Sequence, residues 1–284
     1  MRHPVSSEVL KPTPLAATPL NIPAGTDPRE TLAEWLLTPE NPFLARAMAN
    51  RVWGQFLGRG IVHPVDDFRA TNPPVNPELL DALAADFAGH DFDLRHLMRR
   101  IMNSRLYQLS SLPNKTNVQD TSSFSRFYRR RISAENLHDI LVQVSGVESG
   151  FNNLRWDARS VELWTTRMDS ALLESFGLPN SSENCPVERD DRPSMVQALH
   201  LMNSDKLQAK LADKNGRAAK LGQEDKPSDE VVNELYLALY SRWPSDEEKR
   251  VALEAFKGGD AKRHEAVEDI IWALINTAEF VFNH

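Results

Sequence analysis

The stretch Asn41-Pro42-Phe43-Leu44-Ala45-Arg46-Ala47-Met48-Ala49-Asn50-Arg51-Val52-Trp53-Gly54-Gln55-Phe56-Leu57-Gly58 carries a clear helix signal. A short polar side chain precedes a proline, which suits the first position of a helix, and a glycine stands where the helix would end. The same start recurs at Asp27-Pro28 and at Asn76-Pro77. The sequence therefore predicts three helices that begin near residues 28, 42 and 77.

The composition also favours helices. Leucine and alanine together number about 60 of the 284 residues, against about 26 for valine plus isoleucine, and the first two are the better helix formers. Helical spacing of apolar residues continues near 93–107, 133–146, 195–212, 229–241, 245–256 and 263–279. These patterns predict an all-α protein, an irregular helical bundle with long ordered loops.

Changes in composition along the chain predict its organisation. Residues 1–26 contain five prolines and are typical of a linker from a missing upstream region. Residues 27–213 are expected to form the main helical domain. The polar segment 214–227 is expected to be a flexible hinge, and 228–284 a three-helix segment packed on the main domain.

Charge and cysteine content exclude several functions. The net charge of −7 lacks the positive field on which non-specific nucleic-acid binding depends, so the arginines of 126–131 are expected to pair internally. The single cysteine, Cys185, excludes an intramolecular disulfide and a c-type haem attached through two cysteines. The proline-rich start is neither a signal-peptide core nor a membrane span, and no direct membrane insertion is expected.

The loop 58–74 is the first candidate site, because loops of this length in compact domains are usually functional or pinned. Arg51 lies seven residues after Leu44 and shares a helix face with it, so its guanidinium is expected to be enclosed. A buried charge needs a partner, and Asp66 and Asp67 are the nearest acidic residues.

Two interpretations of this region stay open. In the first, Arg51 pairs with an aspartate and fixes the loop against the bundle. In the second, Arg51, Asp67 and Arg69 form a polar ligand-binding cluster beside Trp53. The binding candidates of this region are Arg51, Trp53, Asp66, Asp67 and Arg69.

Two spacings in the sequence are compatible with metal ligation. Asp93-x-x-His96 and Glu135-x-x-His138 each place a carboxylate and an imidazole on one helix face, as in di-metal helical bundles. Asp93 lies at a helix start where it can equally act as a cap, and the arginines that follow His96 would repel a cation. No metal and no cofactor are therefore expected.

The charge run Glu188-Arg189-Asp190-Asp191-Arg192 lies in an irregular region. Solvation or cross-pairing is its expected role, with Glu188 and Arg189 as further binding candidates. If Glu188, Asp190 and Asp191 lie together in one cleft, a carboxylate pair of the glycosidase type remains an alternative.

Several motifs together resemble a planctomycete-specific C-terminal domain family of unknown function, the DUF1553 type. The motifs are Asn41-Pro42-Phe43, Asn50-Arg51-Val52-Trp53, Gly58-Arg59-Gly60-Ile61-Val62, Pro64-Val65-Asp66-Asp67-Phe68, Asn72-Pro73-Pro74, Asn76-Pro77-Glu78-Leu79-Leu80, Asn103-Ser104-Arg105, Tyr107-Gln108, Ala134-Glu135, Phe176-Gly177, Glu188-Arg189, Gln197-Ala198-Leu199, Asn203-Ser204 and the tail 269–284. The resemblance implies a large exported parent protein, with another domain of unknown function and sometimes a cytochrome c-like module upstream. It implies no established activity.

The expected function follows from these observations. The leading interpretation is a helical scaffold or binding domain of an exported multidomain protein, periplasmic or otherwise extracytoplasmic, that docks upstream domains of its parent or polysaccharide. The alternative is a carbohydrate-acting hydrolase that uses acidic residues of the loop 58–74 and of the region 183–192.

Overall fold

The computed structural model describes residues 3–15, 20, 22–23, 25–38, 41–151, 154–155, 157–163, 170–178, 194–259 and 262–283. Within these ranges the chain is helical, with two short strands, and the predicted all-α irregular bundle is confirmed. The helices are α1 (Pro28–Leu36), α2 (Leu44–Leu57), α3 (Pro77–Gly89), α4 (Leu94–Met102), α5 (Ala134–Ser145), α6 (Ala171–Ser175), α7 (Met195–Asn203), α8 (Asp205–Leu211), α9 (Arg217–Gln223), α10 (Ser228–Tyr240), α11 (Asp246–Glu254), α12 (Arg263–Ile275) and α13 (Ala278–Val281). Strand β1 (Arg130–Arg131) pairs antiparallel with β2 (Phe282–Asn283).

The helix starts are determined by local hydrogen bonds. The side chains of Asp27 and Asn76 each accept a backbone N–H of the following first turn, as their caps predict. Helix α2 begins at Leu44 instead of Pro42. The Oδ1 of Asn41 accepts the N–H groups of Phe43 and Leu44, at 2.9 and 3.2 Å, and satisfies these two donors ahead of the helix.

The chain divides into two compact units, Met1–Tyr128 and Arg129–His284. This boundary lies inside the segment 27–213 that the sequence predicts as one main domain. Residues after 128 belong to the second unit because Leu137 and Leu141 of α5 share a core with helices near the C-terminus.

The core of the first unit is formed where α2 packs against α3 and α4. Helix α2 contributes a stripe of small and large apolar side chains, and the segments after α2 and α4 cover it. The buried members are Ala45, Ala49, Val52, Trp53, Leu57, Ile61, Val62, Leu80, Ala84, Phe87, Leu97, Ile101, Phe124 and Phe127.

The core of the second unit joins α5 and α6 to the helices from α7 to α13. Helix α12 packs against α9 and contributes the apolar centre of this unit. The buried members are Ala134, Leu137, Leu141, Val144, Leu173, Phe176, Leu178, Leu201, Leu207, Leu211, Ala218, Leu221, Val231, Val232, Leu235, Tyr236, Val267, Ile270, Ile271, Leu274, Ile275 and Phe280. Among the described residues, no helix has both the length and the apolar character that crossing a bilayer requires.

The segment 214–227 differs from the flexible hinge that its polar composition predicts. Residues Arg217–Gln223 form α9, and Ala218 and Leu221 are buried against the neighbouring helices. Gly222 makes this close packing possible, because a Cβ at that position would lie 2.6 Å from Cβ and 2.7 Å from Cα of His264 on α12. The apolar residues Ala218, Ala219 and Leu221 of the segment are buried, so packing against α12 and α5 orders it despite its polar composition.

We expect Gly222→Ala to lower the free energy of unfolding by about 1–3 kcal/mol, the usual cost of overpacking a close contact. The added methyl group meets backbone of α12, which a side-chain rotation cannot relieve. Gly89→Ala is the matched control, since no heavy atom lies within 4 Å of its added Cβ. The control should leave stability unchanged or raise it by up to about 1 kcal/mol. Urea unfolding of both variants tests this, and equal stability of the two would contradict the close contact.

Candidate functional site

Asn50 on α2 pins the long loop that follows the helix. Its Nδ2 donates to the carbonyl oxygens of Val62 and Val65, both at 2.9 Å, and its Oδ1 accepts the Val62 N–H at 2.8 Å. The Asn50 side chain is fully buried. Gly60 lies against it, and a Cβ at Gly60 would come within 2.2 Å of the Val62 carbonyl oxygen. The loop is therefore attached to the helix by a buried amide.

Arg51 occupies a different environment from the one that the sequence predicts. Of the two predicted partners, Asp66 and Asp67, Arg51 forms an ion pair with Asp66. The side chain of Arg51 is 45% exposed and that of Asp66 is 63% exposed. The expected enclosure is wrong because the buried stripe of α2 runs through Ala45, Ala49, Val52, Trp53 and Leu57. At about 100° per residue, Arg51 points away from the middle of that stripe.

The charged side chains of the predicted ligand cluster are engaged in two ion pairs. Asp67 pairs with Arg69, at 2.9 Å between Oδ2 and Nη2, while Arg51 pairs with Asp66. Trp53 is 2% exposed and packs edge-on against Phe124 with ring centroids 5.4 Å apart. The indole of Trp53 therefore belongs to the core of the first unit.

Further candidates for ligand and metal binding from the sequence are the charge run 188–192 and the pair Asp93 and His96. Glu188, Arg189 and the rest of the charge run lie outside the described residues. Asp93 caps α4 by accepting the Arg95 N–H at 2.8 Å, as the cap interpretation predicts. His96 bonds to Asp86 instead of Asp93, with 2.9 Å between Nε2 and Oδ2.

Arginines of the segment 126–131 contact other side chains of the protein. Arg126 lies over the ring of Tyr128, at 5.4 Å from its centroid, and Arg131 lies over Phe176 at the same distance. Arg130 and Arg131 also form β1. These contacts agree with internal pairing of the arginines.

A cleft of about 910 Å³ lies in the second unit, on the outer face of α5. Helix α5 buries Leu137, Leu141 and Val144. Its opposite face, with Asn136, Asp139 and Gln143 at helical spacing, therefore forms one wall. The other walls come from distant parts of the chain: 157–159, 239–241, 279–280 and 282–283. Sequence reasoning missed this site because no motif connects these segments, although the polar stripe on α5 is visible in the sequence.

Four acidic side chains line the cleft, and two of them, Asp139 and Glu279, are held by donors of the fold. Asp139 accepts the Ser160 N–H at 2.6 Å and lies 3.4 Å from Nε of Arg159. Glu279 binds Arg242 through both carboxylate oxygens, at 2.6 and 2.7 Å. The deep carboxylates are therefore compensated by donors within the fold.

A serine and a histidine meet beside the cleft. Ser160 Oγ lies 2.7 Å from Nδ1 of His138, and burial together with the charge of Lys210 lowers the pKa of His138. Asp139 approaches the same Nδ1 at 3.8 Å, so it cannot orient the ring from the opposite nitrogen as in a hydrolytic triad. Ser160 is also 1% exposed. The pair therefore attaches the short 3-10 turn Ser160–Glu162 to α5 and does not present a nucleophile.

The comparisons with known proteins give a family and no activity. The model of the family described as PSD1, protein of unknown function (DUF1553), matches residues 28–256. No curated protein and no solved structure matches the chain.

Proposed function

Since the chain belongs to the PSD1 family, which is of unknown function, we propose a function from the chemistry of the cleft: an extracytoplasmic binding module for neutral polysaccharide. The observation that carries the proposal is the polar stripe of Asn136, Asp139 and Gln143 along one wall of the 910 Å³ cleft. Small-molecule sites span roughly 300–1,000 Å³, so a short stretch of a polysaccharide is a suitable occupant.

The hydrogen-bonding groups of the cleft suit sugar hydroxyls. A hydroxyl both donates and accepts, and a side-chain amide offers two donors and an acceptor on one plane. The side-chain amides of Asn136, Gln143 and Asn283 make no hydrogen bond to the described part of the chain. They are therefore available to a ligand, and Phe282 adds an apolar ring to the same lining.

The charges of the cleft suit a neutral ligand better than an ionic one. Arg159 lies beside Asp139, and Arg242 holds Glu279. Asp157 lies 3.2 Å from Arg155, and the fourth acidic side chain of the lining, Glu148, is exposed to solvent. Three of the four acidic groups are therefore balanced by arginines. A glycosidase needs one carboxyl group as an acid and a second as base or nucleophile. In this cleft Asp139 and Glu279 are held by other groups, and in the loop 58–74 Asp66 and Asp67 are held in ion pairs. Binding is therefore favoured over hydrolysis.

An extracytoplasmic location and docking to upstream domains of the parent protein belong to the same proposal. Both rest on the family resemblance, which implies exported multidomain relatives. A neutral polysaccharide outside the cytoplasm is the ligand that such a module would meet.

We expect the protein to bind at least one neutral polysaccharide in a panel of neutral and acidic polymers, measured by affinity electrophoresis. The double variant Asn136→Ala/Gln143→Ala should bind roughly tenfold or more weakly, because each lost hydrogen bond contributes about 0.5–1.5 kcal/mol. Gln223→Ala is the matched control, since this exposed amide lies on α9 outside the cleft.

Three results would contradict the proposal. The first is no binding to any polymer of the panel, and the second is equal loss of binding in the double variant and the control. The third is release of new reducing ends from a bound polymer, which would favour the hydrolase alternative.

A further inference from the structure

We propose that Asp86, His90 and His96 form a binding site for a late first-row divalent transition-metal ion such as Zn²⁺. The three side chains lie in the first unit, where α3 ends and α4 begins, far along the chain from the cleft residues. Each offers one ligand atom, and these atoms all lie within 4.8 Å of one another. The proposal is independent of the polysaccharide site, which belongs to the second unit.

The local sequence brings the three residues together. Asp86 and His90 are four residues apart at the end of α3, so they lie on the same helix face. A short turn then reverses the chain, and His96 in the first turn of α4 returns to the same place. The two imidazole rings stack with centroids 3.7 Å apart and an interplanar angle of 15°.

The distances suit an ion between the carboxylate and the imidazoles. Asp86 Oδ2 lies 2.9 Å from His96 Nε2, and Asp86 Oδ1 lies 3.6 Å from His90 Nδ1. Ligand atoms on a tetrahedral zinc ion, at bond lengths of about 2.0–2.1 Å, are roughly 3.3 Å apart. Adjustments of a few tenths of an ångström would bring both carboxylate–imidazole pairs to this separation, and the two imidazole nitrogens already lie within 4.8 Å of each other.

The ligand types and their exposure point to the class of metal. Imidazole nitrogens favour zinc and its neighbours over magnesium and calcium, which favour oxygen. The side chains of Asp86 and His96 are about a quarter exposed and that of His90 is 52% exposed. Solvent can therefore complete the coordination, and the site would be a three-ligand site with an open position.

Two features of the same residues oppose binding and limit its strength. His90 Nδ1 is 2.7 Å from the backbone carbonyl of Asp86, so coordination through Nδ1 must replace that contact and leave the ring proton on Nε2. Arg100 Nε lies 3.5 Å from Asp86 Oδ2 and competes with a cation for the carboxylate. We therefore expect an affinity in the micromolar range and not that of a structural zinc site.

The experiment is a titration of the full chain, free of any polyhistidine tag, with Zn²⁺ by calorimetry and with Co²⁺ by visible absorption. The wild type should bind one equivalent. His90→Ala and His96→Ala should each weaken binding tenfold or more, because each removes one of three ligands. His264→Ala is the matched control, since His264 forms an i,i+4 pair with Glu268 at 4.0 Å and does not belong to the cluster.

Arg100→Gln separates a metal site from a purely structural cluster. Removing the competing positive charge should tighten binding several-fold, whereas a structural role of the cluster gives no gain in affinity. Circular dichroism of each variant verifies that α3 and α4 are intact. Absence of stoichiometric binding, equal affinity in the histidine variants and the control, or no gain in Arg100→Gln would overturn the proposal.

Discussion

Asn50→Ala is expected to lower the free energy of unfolding by about 3–5 kcal/mol. The substitution leaves the Val62 N–H and the carbonyl groups of Val62 and Val65 without the partner that the Asn50 amide supplies. Each buried polar group that loses its partner costs roughly 1–3 kcal/mol, and a partial entry of water reduces the sum. In a protein of this size the melting temperature should fall by roughly 6–12 °C, which differential scanning calorimetry measures.

The neighbouring Arg51 supplies the control for this prediction. Its ion pair with Asp66 is exposed on both sides, and such surface pairs contribute about 0–1 kcal/mol. Arg51→Ala should therefore shift the melting temperature by no more than a few degrees. A larger loss in Arg51→Ala than in Asn50→Ala would show that the ion pair, and not the buried amide, holds the loop.

Arg242→Met is expected to lower the free energy of unfolding of the second unit by about 2–3 kcal/mol. The guanidinium follows α10 and binds Glu248 on α11 and Glu279 on α13, with four contacts of 2.6–2.9 Å. It also lies over the rings of Tyr236 and Tyr240. Removing one partner from a fully buried pair costs about 3–5 kcal/mol, and the partial exposure of this network reduces the cost by solvent screening.

This network also determines how stability depends on acid. The hydrogen bond from Arg242 lowers the pKa of Glu248 from 4.5 to about 2. A carboxyl group with a lowered pKa in the folded state stabilises the protein above its unfolded pKa, and this contribution disappears as the pH falls towards the folded value. The stability difference between the wild type and Arg242→Met should therefore shrink between about pH 4.5 and about pH 2.

Arg250→Met is the matched control for Arg242→Met. Arg250 lies on the same helix as Glu248, but it pairs with Glu247 on the surface, where both side chains are well exposed. Its removal should change stability by less than about 1 kcal/mol at any pH. Equal effects of the two substitutions, or a difference at Arg242 that does not vary with pH, would contradict the bridging role of Arg242.

Local signals in the sequence determined the helical architecture. The caps at Asp27 and Asn76 each depend only on residues within one turn, and both appear in the structure. The ion pair of Arg51 with Asp66 was also predictable, because a short chain segment limits the choice of partner. The family was recognisable from motifs spread over most of the chain.

Burial was harder to predict than helix formation. The sequence placed Arg51 on an apolar face with Leu44, whereas the core lies on the other side of α2 and encloses Asn50. The segment 110–125 is polar in composition, yet Phe124 from its end covers Trp53 in the core. Which face of a helix is buried depends on the neighbours that pack against it, and periodicity alone does not identify them.

The two proposed sites show why function depended on the tertiary structure. The cleft joins α5 to 157–159 and to the chain end near 279–283, and the Asp86, His90 and His96 cluster needs the turn that brings α4 back onto α3. The sequence by itself determined the helices, their caps and the family. Only the tertiary structure decided which polar side chains meet, because hydrogen bonds and metal coordination act over about 2–4 Å, whereas the chain separations involved range from a few residues to well over a hundred.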